Sequence, residues 1–258
     1  MAMKDWNLQE QVFGDDFDRA LAIRFAPQNK RQGLYLLAAL KGELSRIGQQ
    51  TTEPLLGQIK IQFWREALYE KRGAGLKLAS QIIEHFASHP DFFVRIDSLL
   101  YAYETALLET EAGEETSERG AGCQAALFAL SSIYIDPSLQ AVDKGFFLQC
   151  GEVQDGLARL GKTDLKLGKT ELKENGQKTE VKVKSLIRKI SQNYQALCQD
   201  LSVMPEGLQA GILPLALVPS YLHLYQAPEK KGRMPTGLHP VKKAFLMWRA
   251  MRSGLEAL

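Results

Sequence analysis

Two histidines, His85 and His89, stand four residues apart on a predicted helix, and zinc ligands use this spacing. A metalloprotease would place a glutamate between them in the pattern H-E-x-x-H, and this chain does not. The other two histidines are remote in sequence. The pair therefore also fits two partly exposed side chains at a helix end before Pro90.

Other catalytic and nucleotide-binding motifs are excluded by their context. Gly120-Ala-Gly122 precedes a predicted helix, but no strand precedes it, so a dinucleotide-binding fold does not fit. The sequence contains no phosphate-binding loop and no G-x-S-x-G elbow. Three widely spaced cysteines indicate neither a disulfide framework nor a zinc site.

Residues 17–68 carry the most specific pattern in the chain. Phe17–Pro27 reads F-D-R-A-L-A-I-R-F-A-P, and Pro54–Leu68 reads P-L-L-G-Q-I-K-I-Q-F-W-R-E-A-L. Both stretches closely resemble the squalene/phytoene synthase family, with Lys60 in place of an arginine and Phe63 in place of a tryptophan. Residues 213–222 and 239–249 also resemble it, so the resemblance covers nearly the whole chain.

The resemblance implies an all-α, isoprenoid-synthase-type helical bundle around a central cavity. Active members of the family condense two prenyl diphosphates head to head. Two D-x-x-x-D helices hold Mg²⁺, a hard ion that binds carboxylates together with substrate phosphate oxygens and neutralises the departing diphosphate. Mg²⁺ is therefore the expected cofactor if this chain is an active enzyme, and otherwise no cofactor is expected.

The positions of the metal-binding aspartates are largely occupied by other residues. Alignment to the family places the first pair at Ser45 and Gln49, with Arg46 between them and Glu43 as the only acid on that turn. Neither residue of the pair can ligate Mg²⁺ as an aspartate does.

The second aspartate-rich motif falls near residues 151–164. Arg159 takes the place of the family's arginine, but Leu160 follows it, which leaves Asp164 as half a pair. Glu152 and Asp155 lie on the same predicted helix and are partial substitutes for the missing acids. The candidate metal ligands are Asp155 and Asp164.

One branch of the family shares this degenerate pattern. Gly42–Ile47, followed by Glu53-Pro54 and by Gln62-Phe-Trp-Arg65, resembles the branch found in α-proteobacteria and mitochondria. Its mitochondrial relatives are assembly factors for respiratory complex I. The resemblance therefore implies a non-catalytic bacterial protein that assists respiratory-complex assembly or binds an isoprenoid lipid. The alternative is a prenyl-diphosphate transferase with an altered Mg²⁺ site.

Several side chains are candidates for binding a diphosphate or lipid. Glu43, Arg46, Asp155 and Arg159 come from the motif positions, and five further candidates are Arg31, Lys60, Gln62, Trp64 and Arg65. The cations also fit a solvated helix surface, and Trp64 also fits a core position.

Helical periodicity dominates the elements that would position these residues. The stripes Leu56-Ile59-Phe63-Ala67, Ile96–Leu107 and Val183–Leu201 step by three and four. Helices are also predicted over Asn29–Ile47, Leu139–Leu160, Pro205–Tyr225 and Pro240–Arg252, with loops at Glu109–Gly122 and Pro228–Pro240. These patterns predict one all-α domain spanning residues 1–258.

The charge and hydropathy of the chain limit the kinds of partner that we expect. A net charge of +2 over 258 residues gives no reason to expect nucleic acid. No apolar run reaches the roughly 18 residues of a membrane span, and the acidic N-terminus does not resemble a targeting peptide. The expected location is cytoplasmic. The basic stretch Lys162–Lys189 and the cations Lys230, Lys231, Arg233, Lys242 and Lys243 allow peripheral contact with an anionic inner membrane.

Overall fold

The computed structural model describes residues 7–51, 53–70, 75–111, 118–167, 176–201, 211–226 and 238–253. All regular elements within these ranges are helical, which confirms the all-α prediction. The α-helices are α1 (Leu8–Asp15), α2 (Phe17–Ile23), α3 (Gln28–Gln50), α4 (Pro54–Tyr69), α5 (Lys77–Phe86), α6 (Pro90–Glu111), α7 (Glu118–Ile135), α8 (Lys144–Leu167), α9 (Gly176–Leu201), α10 (Val218–Gln226) and α11 (Pro240–Ser253). Short 3₁₀ helices cover Pro137–Ala141 and Leu213–Leu217.

Local sequence explains where several helices begin. The Asn7 side chain accepts hydrogen bonds from the backbone at the start of α1, and Asp16 does the same for α2. Pro54 and Pro240 open α4 and α11, positions where a missing backbone N–H leaves no helical bond unmade. Within the ranges given above, none of the helices has both the length and the apolar character required to cross a bilayer.

Helix α3 lies at the centre of the N-terminal half. Its residues 33–40 are buried on every side of the helix, because α1, α2, α4, α5, α6 and α7 all pack against it. A Cβ on Gly33 would come 2.5 Å from the ring of Tyr134, so glycine permits the close approach of α7.

The apolar core has two clusters. The first is formed mainly by α3 to α7, and the second by α8 to α11 together with the two 3₁₀ helices. Helix α7 contributes Leu127 and Leu130 to the first cluster and Phe128 to the second. It packs closely on α8, where a Cβ on Gly151 would lie 2.1 Å from the Ala121 carbonyl oxygen.

Helices α4 and α6 run antiparallel. Gly57, near the start of α4, faces Leu107 near the end of α6, and the Tyr69 hydroxyl donates to the Phe93 carbonyl 3.5 Å away. Only Ala67 of the predicted apolar stripe on α4 is buried, whereas Leu56, Ile59 and Phe63 are exposed. The other buried residues of the helix are Gly57, Ile61, Trp64 and Leu68.

Several predicted boundaries also require correction. Helix α6 continues to Glu111 and α7 begins at Glu118, so Gly120 and Gly122 are helical rather than part of a loop. The helix predicted over Leu139–Leu160 begins only at Lys144, after a 3₁₀ turn. Within the helix predicted over Pro205–Tyr225, the described part from residue 211 onward contains a 3₁₀ turn at Leu213–Leu217 followed by α10. Residues 202–210 lie outside the described ranges. Lys230, Lys231 and Arg233 also lie outside them.

Candidate functional site

The first aspartate position is filled by a hydroxyl that faces another helix. Ser45 Oγ and the Tyr103 hydroxyl form a hydrogen bond of 2.9 Å between α3 and α6. Burial raises the pKa of Tyr103, so its hydroxyl stays protonated at neutral pH. Gln49, one turn further along α3, is exposed. Neither side chain fits Mg²⁺, which binds carboxylates.

Arg46 and Glu43 belong to a surface cluster between α1 and α3. Arg46 donates to Asp15 at 2.6 Å and also to Glu43, which accepts a further bond from Gln11 at 3.2 Å. Partial burial alone would lower the pKa of Arg46, but its bonds with Asp15 and Glu43 raise it above the usual value. The structure therefore pairs the two acids with a permanent cation.

A second polar cluster beside it was not predicted. Asp16 accepts bonds from Lys41 at 3.1 Å and from the Arg19 guanidinium at 3.4 Å, and Arg19 also donates to Gln124 at 3.2 Å. Burial would raise the pKa of Asp16, but the charges of Lys41 and Arg19 lower it below the usual value. The signal that sequence reasoning missed is the capping position of Asp16 immediately before α2.

The neighbouring aspartate ties α2 to the C-terminal helices. Asp18 accepts a hydrogen bond from the Tyr221 hydroxyl at 2.8 Å and one from Lys243 at 2.5 Å. The Lys243 ammonium also lies 5.2 Å from the centre of the Phe17 ring and 5.5 Å from that of Tyr221. The Asp18-Arg19 pair of the family-like motif therefore has structural partners on both sides.

Arg65 links α4 to α6 through hydrogen-bonded ion pairs. Its guanidinium donates to Asp97 at 2.7 Å, to Glu104 at 2.9 Å and to the Gln62 side chain at 2.7 Å. The hydrogen bond with Asp97 raises the pKa of Arg65 above the usual value. All three nitrogens are occupied, so the structure gives this predicted phosphate ligand an internal role. Trp64 is buried, in agreement with the core interpretation.

The other N-terminal candidates lie apart from one another. Arg31 donates to the Ala26 carbonyl at 2.9 Å and so closes the turn between α2 and α3. The predicted histidine pair does not share a helix face, because α5 ends at Phe86 and His89 lies beyond it. His85 Nε2 is hydrogen-bonded to the Tyr134 hydroxyl at 2.8 Å, whereas His89 is exposed.

The candidates on α8 gather at a cavity. Glu152, Asp155 and Arg159 line a space of about 30 Å³ between α8 and α9, together with the α9 residues Leu186, Lys189, Ile190 and Asn193. Asn193 donates to Glu152 at 2.7 Å. A Cβ on Gly120 would lie 1.8 Å from the Asp155 carboxylate, so α7 closes this side. Leu160 is buried, and the side chain of Asp164 lies outside the described residues.

The acids do not converge on one metal site. Glu43 lies with Gln11 and Arg46, whereas Asp155 lies at the α8–α9 cavity. Over the part of the chain that the structure describes, no group of three histidine, cysteine, aspartate or glutamate side chains could hold a metal ion. A second cavity, of about 20 Å³, is lined by Arg19, Ser131 and Gly211 and by apolar neighbours.

Comparison of the chain with known proteins finds no relative. The chain matches no family model, no curated protein and no solved structure. Membership of the squalene/phytoene synthase family therefore stays a prediction from the motifs in residues 17–68.

Proposed function

We propose that this chain is a squalene/phytoene synthase-type helical protein that does not transfer prenyl groups and instead binds a partner protein during respiratory-complex assembly. The observation that carries the proposal is the Ser45 hydrogen bond to Tyr103. In the alignment to the family, this neutral side chain, already bonded between two helices, stands at the position of a metal-binding carboxylate. The nearby acids Asp15 and Glu43 are both paired with Arg46, which occupies them with a protein cation.

An exposed apolar surface supports binding to a protein. We define the α4–α6 face as the residues Leu55, Leu56, Ile59, Phe63, Val94, Tyr101 and Leu108, all of which are exposed. Of the described exposed positions of α6, positions 94, 98, 101 and 108 are uncharged, and position 91, in the first turn, carries Asp91. Contiguous exposed apolar surface marks interaction sites, and two such helices suit an amphipathic helix of a partner.

Neither of the two cavities described above is large enough for an isoprenoid lipid. Their volumes of about 20 and 30 Å³ accommodate about one water molecule each. Pockets for small organic ligands are usually about 300 Å³ or larger. The centre of the N-terminal half is filled by the buried side chains of α3.

Calorimetric titration with farnesyl diphosphate, with and without Mg²⁺, tests the catalytic part. We expect no Mg²⁺-dependent heat. Tight Mg²⁺-dependent binding, followed by detection of a condensed product, would reject the non-catalytic assignment.

Genetic complementation tests the assembly part. In a bacterium lacking this gene, we expect less assembled complex I on native gels, and we expect the wild-type gene to restore it. The double variant Phe63→Ser/Tyr101→Ser should fold normally and fail to restore it. Leu148→Ser, an exposed apolar position on α8, is the matched control and should succeed. Normal complex I in the deletion strain would reject the proposal.

One observation favours the transferase as a second candidate. Glu152 and Asp155 line the α8–α9 cavity together with Arg159 and Lys189, so two acids and two cations border one space. If the transferase hypothesis holds, Glu152→Gln/Asp155→Asn should abolish Mg²⁺-dependent heat with farnesyl diphosphate, whereas Arg188→Gln on the exposed side of α9 should leave it unchanged.

A further inference from the structure

Helix α11 presents an apolar stripe to the outside of the molecule. Val241, Phe245 and Trp248 follow one another at spacings of four and three residues and are 70%, 55% and 46% exposed. The Phe245 and Trp248 rings contact each other with centroids 5.9 Å apart. Met247 and Ala250, on the opposite side of the helix, are buried in the core. Helix α11 therefore has apolar residues on two sides, one buried in the core and one exposed.

The charges that α11 itself carries have one sign. Helix α11 contains Lys242, Lys243, Arg249 and Arg252 and no acidic residue. Residues 230–255 carry seven lysines and arginines without an aspartate or glutamate, although the net charge of the whole chain is only +2. The Arg252 guanidinium lies 5.2 Å from the centre of the Trp248 ring, at the end of the stripe.

Lys243 is separate from this charged surface. It is bonded to Asp18 and packs on the rings of Phe17 and Tyr221, so its side chain is only 12% exposed. This contact holds α11 against α2. Lys242 and Arg252 are exposed beside the stripe.

We propose that the outer face of α11, formed by Val241, Phe245 and Trp248 with Lys242, Arg249 and Arg252, docks onto an anionic lipid bilayer. An apolar and aromatic stripe flanked by cations lies in the membrane interface, with its rings among the acyl chains and its cations at the phosphates. A second copy of this chain fits poorly, because pairing two such faces would bring their cations together. The inference is independent of the function proposed for the α4–α6 face.

Vesicle sedimentation tests the inference. The full chain should pellet with phosphatidylcholine vesicles that contain about 30% phosphatidylglycerol and stay in solution with pure phosphatidylcholine. Added salt should weaken the binding. Phe245→Ser/Trp248→Ser should reduce the partition coefficient by about tenfold or more, because both rings lose their burial. Lys242→Glu/Arg252→Glu should reduce it by more than about fivefold at each position, because each substitution removes a positive charge and adds a negative one.

Matched measurements exclude indirect effects. Arg188→Glu reverses an exposed cation on α9 and should leave binding nearly unchanged. The circular dichroism of the serine variant should equal that of the wild type, since both rings are exposed. The chain has three tryptophans, so the blue shift of its fluorescence with anionic vesicles and the quenching by brominated acyl chains should be seen in the wild type and be lost in Trp248→Phe.

Three results would overturn the inference. The first is absence of binding to the anionic vesicles, and the second is unchanged binding by the serine variant. The third is a wild-type dimer in solution that the serine variant converts to a monomer, because a second copy would then cover the stripe.

Discussion

Arg65 donates hydrogen bonds to three protein side chains. Asp97 and Glu104 on α6 lie on either side of its guanidinium, and its side chain is 22% exposed. Removing the arginine would leave two carboxylates of α6 without the cation of α4 that they share. Arg65 therefore contributes to the stability of this helix pair.

Arg65→Ala should lower the free energy of unfolding by about 1 to 2 kcal/mol, because two partly exposed ion pairs are lost. Urea denaturation at neutral pH measures the change. Lys60→Ala, at an exposed position on the same helix, should stay within about 0.5 kcal/mol of the wild type. Equal stability of the two variants would show that the ion pairs of Arg65 do not stabilise the α4–α6 contact.

Asp16 makes the stability depend on pH in the acid range. Its folded-state pKa lies below the usual 3.8 because the Lys41 and Arg19 charges outweigh the effect of burial. The stabilisation is therefore complete above pH 3.8 and is lost as the pH falls through the lowered pKa. Asp16→Asn keeps an oxygen for the cap of α2 and removes the charge.

Urea midpoints of the wild type and Asp16→Asn should therefore differ most near neutral pH and converge in strong acid. A difference that stays constant as the pH falls below 3.8 would contradict the lowered pKa. Glu53→Gln, an exposed acid at the start of α4, serves as the control and should show little difference at any pH.

At the scale of elements, periodicity predicted the helices but not every face. The stripe over Val183–Leu201 lies within α9, and the predicted Asn29–Ile47 lies within α3. Helix α4 has apolar residues on two faces, and periodicity alone could not show that Ile61 and Trp64 are the buried ones. The ion pairs were not predictable either, because Arg65 and its two partners are 32 and 39 residues apart in sequence.

Alanine substitutions at two glycines of α7 and α8 should have opposite effects on stability. Gly151→Ala would place a methyl group 2.1 Å from the Ala121 carbonyl oxygen and should destabilise the fold by about 1 to 3 kcal/mol, because the helices must move apart. Gly122→Ala meets no atom within 4 Å and should stabilise the fold by about 0.5 to 1 kcal/mol through helix propensity. Thermal unfolding of both variants measures the signs, and a stabilised Gly151→Ala would contradict the close packing.

At the scale of the whole molecule, α7 joins the two apolar clusters. Its residues Leu127 and Phe128 are fully buried in different clusters although they are adjacent in sequence. If α7 unfolds where it packs in one cluster, the adjacent residue also loses its packing in the other cluster. We therefore expect the two clusters to unfold together.

Phe86→Ala in the first cluster should cost about 3 to 5 kcal/mol, and Leu197→Ala in the second should cost about 2 to 5 kcal/mol. Each variant should lower the midpoint of one shared thermal transition, because both side chains are fully buried in clusters that meet at α7. Calorimetry would reveal a second peak if either cluster melted alone. Leu148→Ser, on the exposed side of α8, should leave the transition unchanged.

The contact between Asp18 and Lys243 also affects the order of events during protein synthesis. The two residues are 225 positions apart. A ribosome that adds about 5 to 20 residues per second needs roughly 10 to 45 seconds to cover that distance. Throughout this interval the nascent α2 lacks its contact with α11. The Asp18–Lys243 ion pair is therefore among the last contacts of the fold that can form during synthesis.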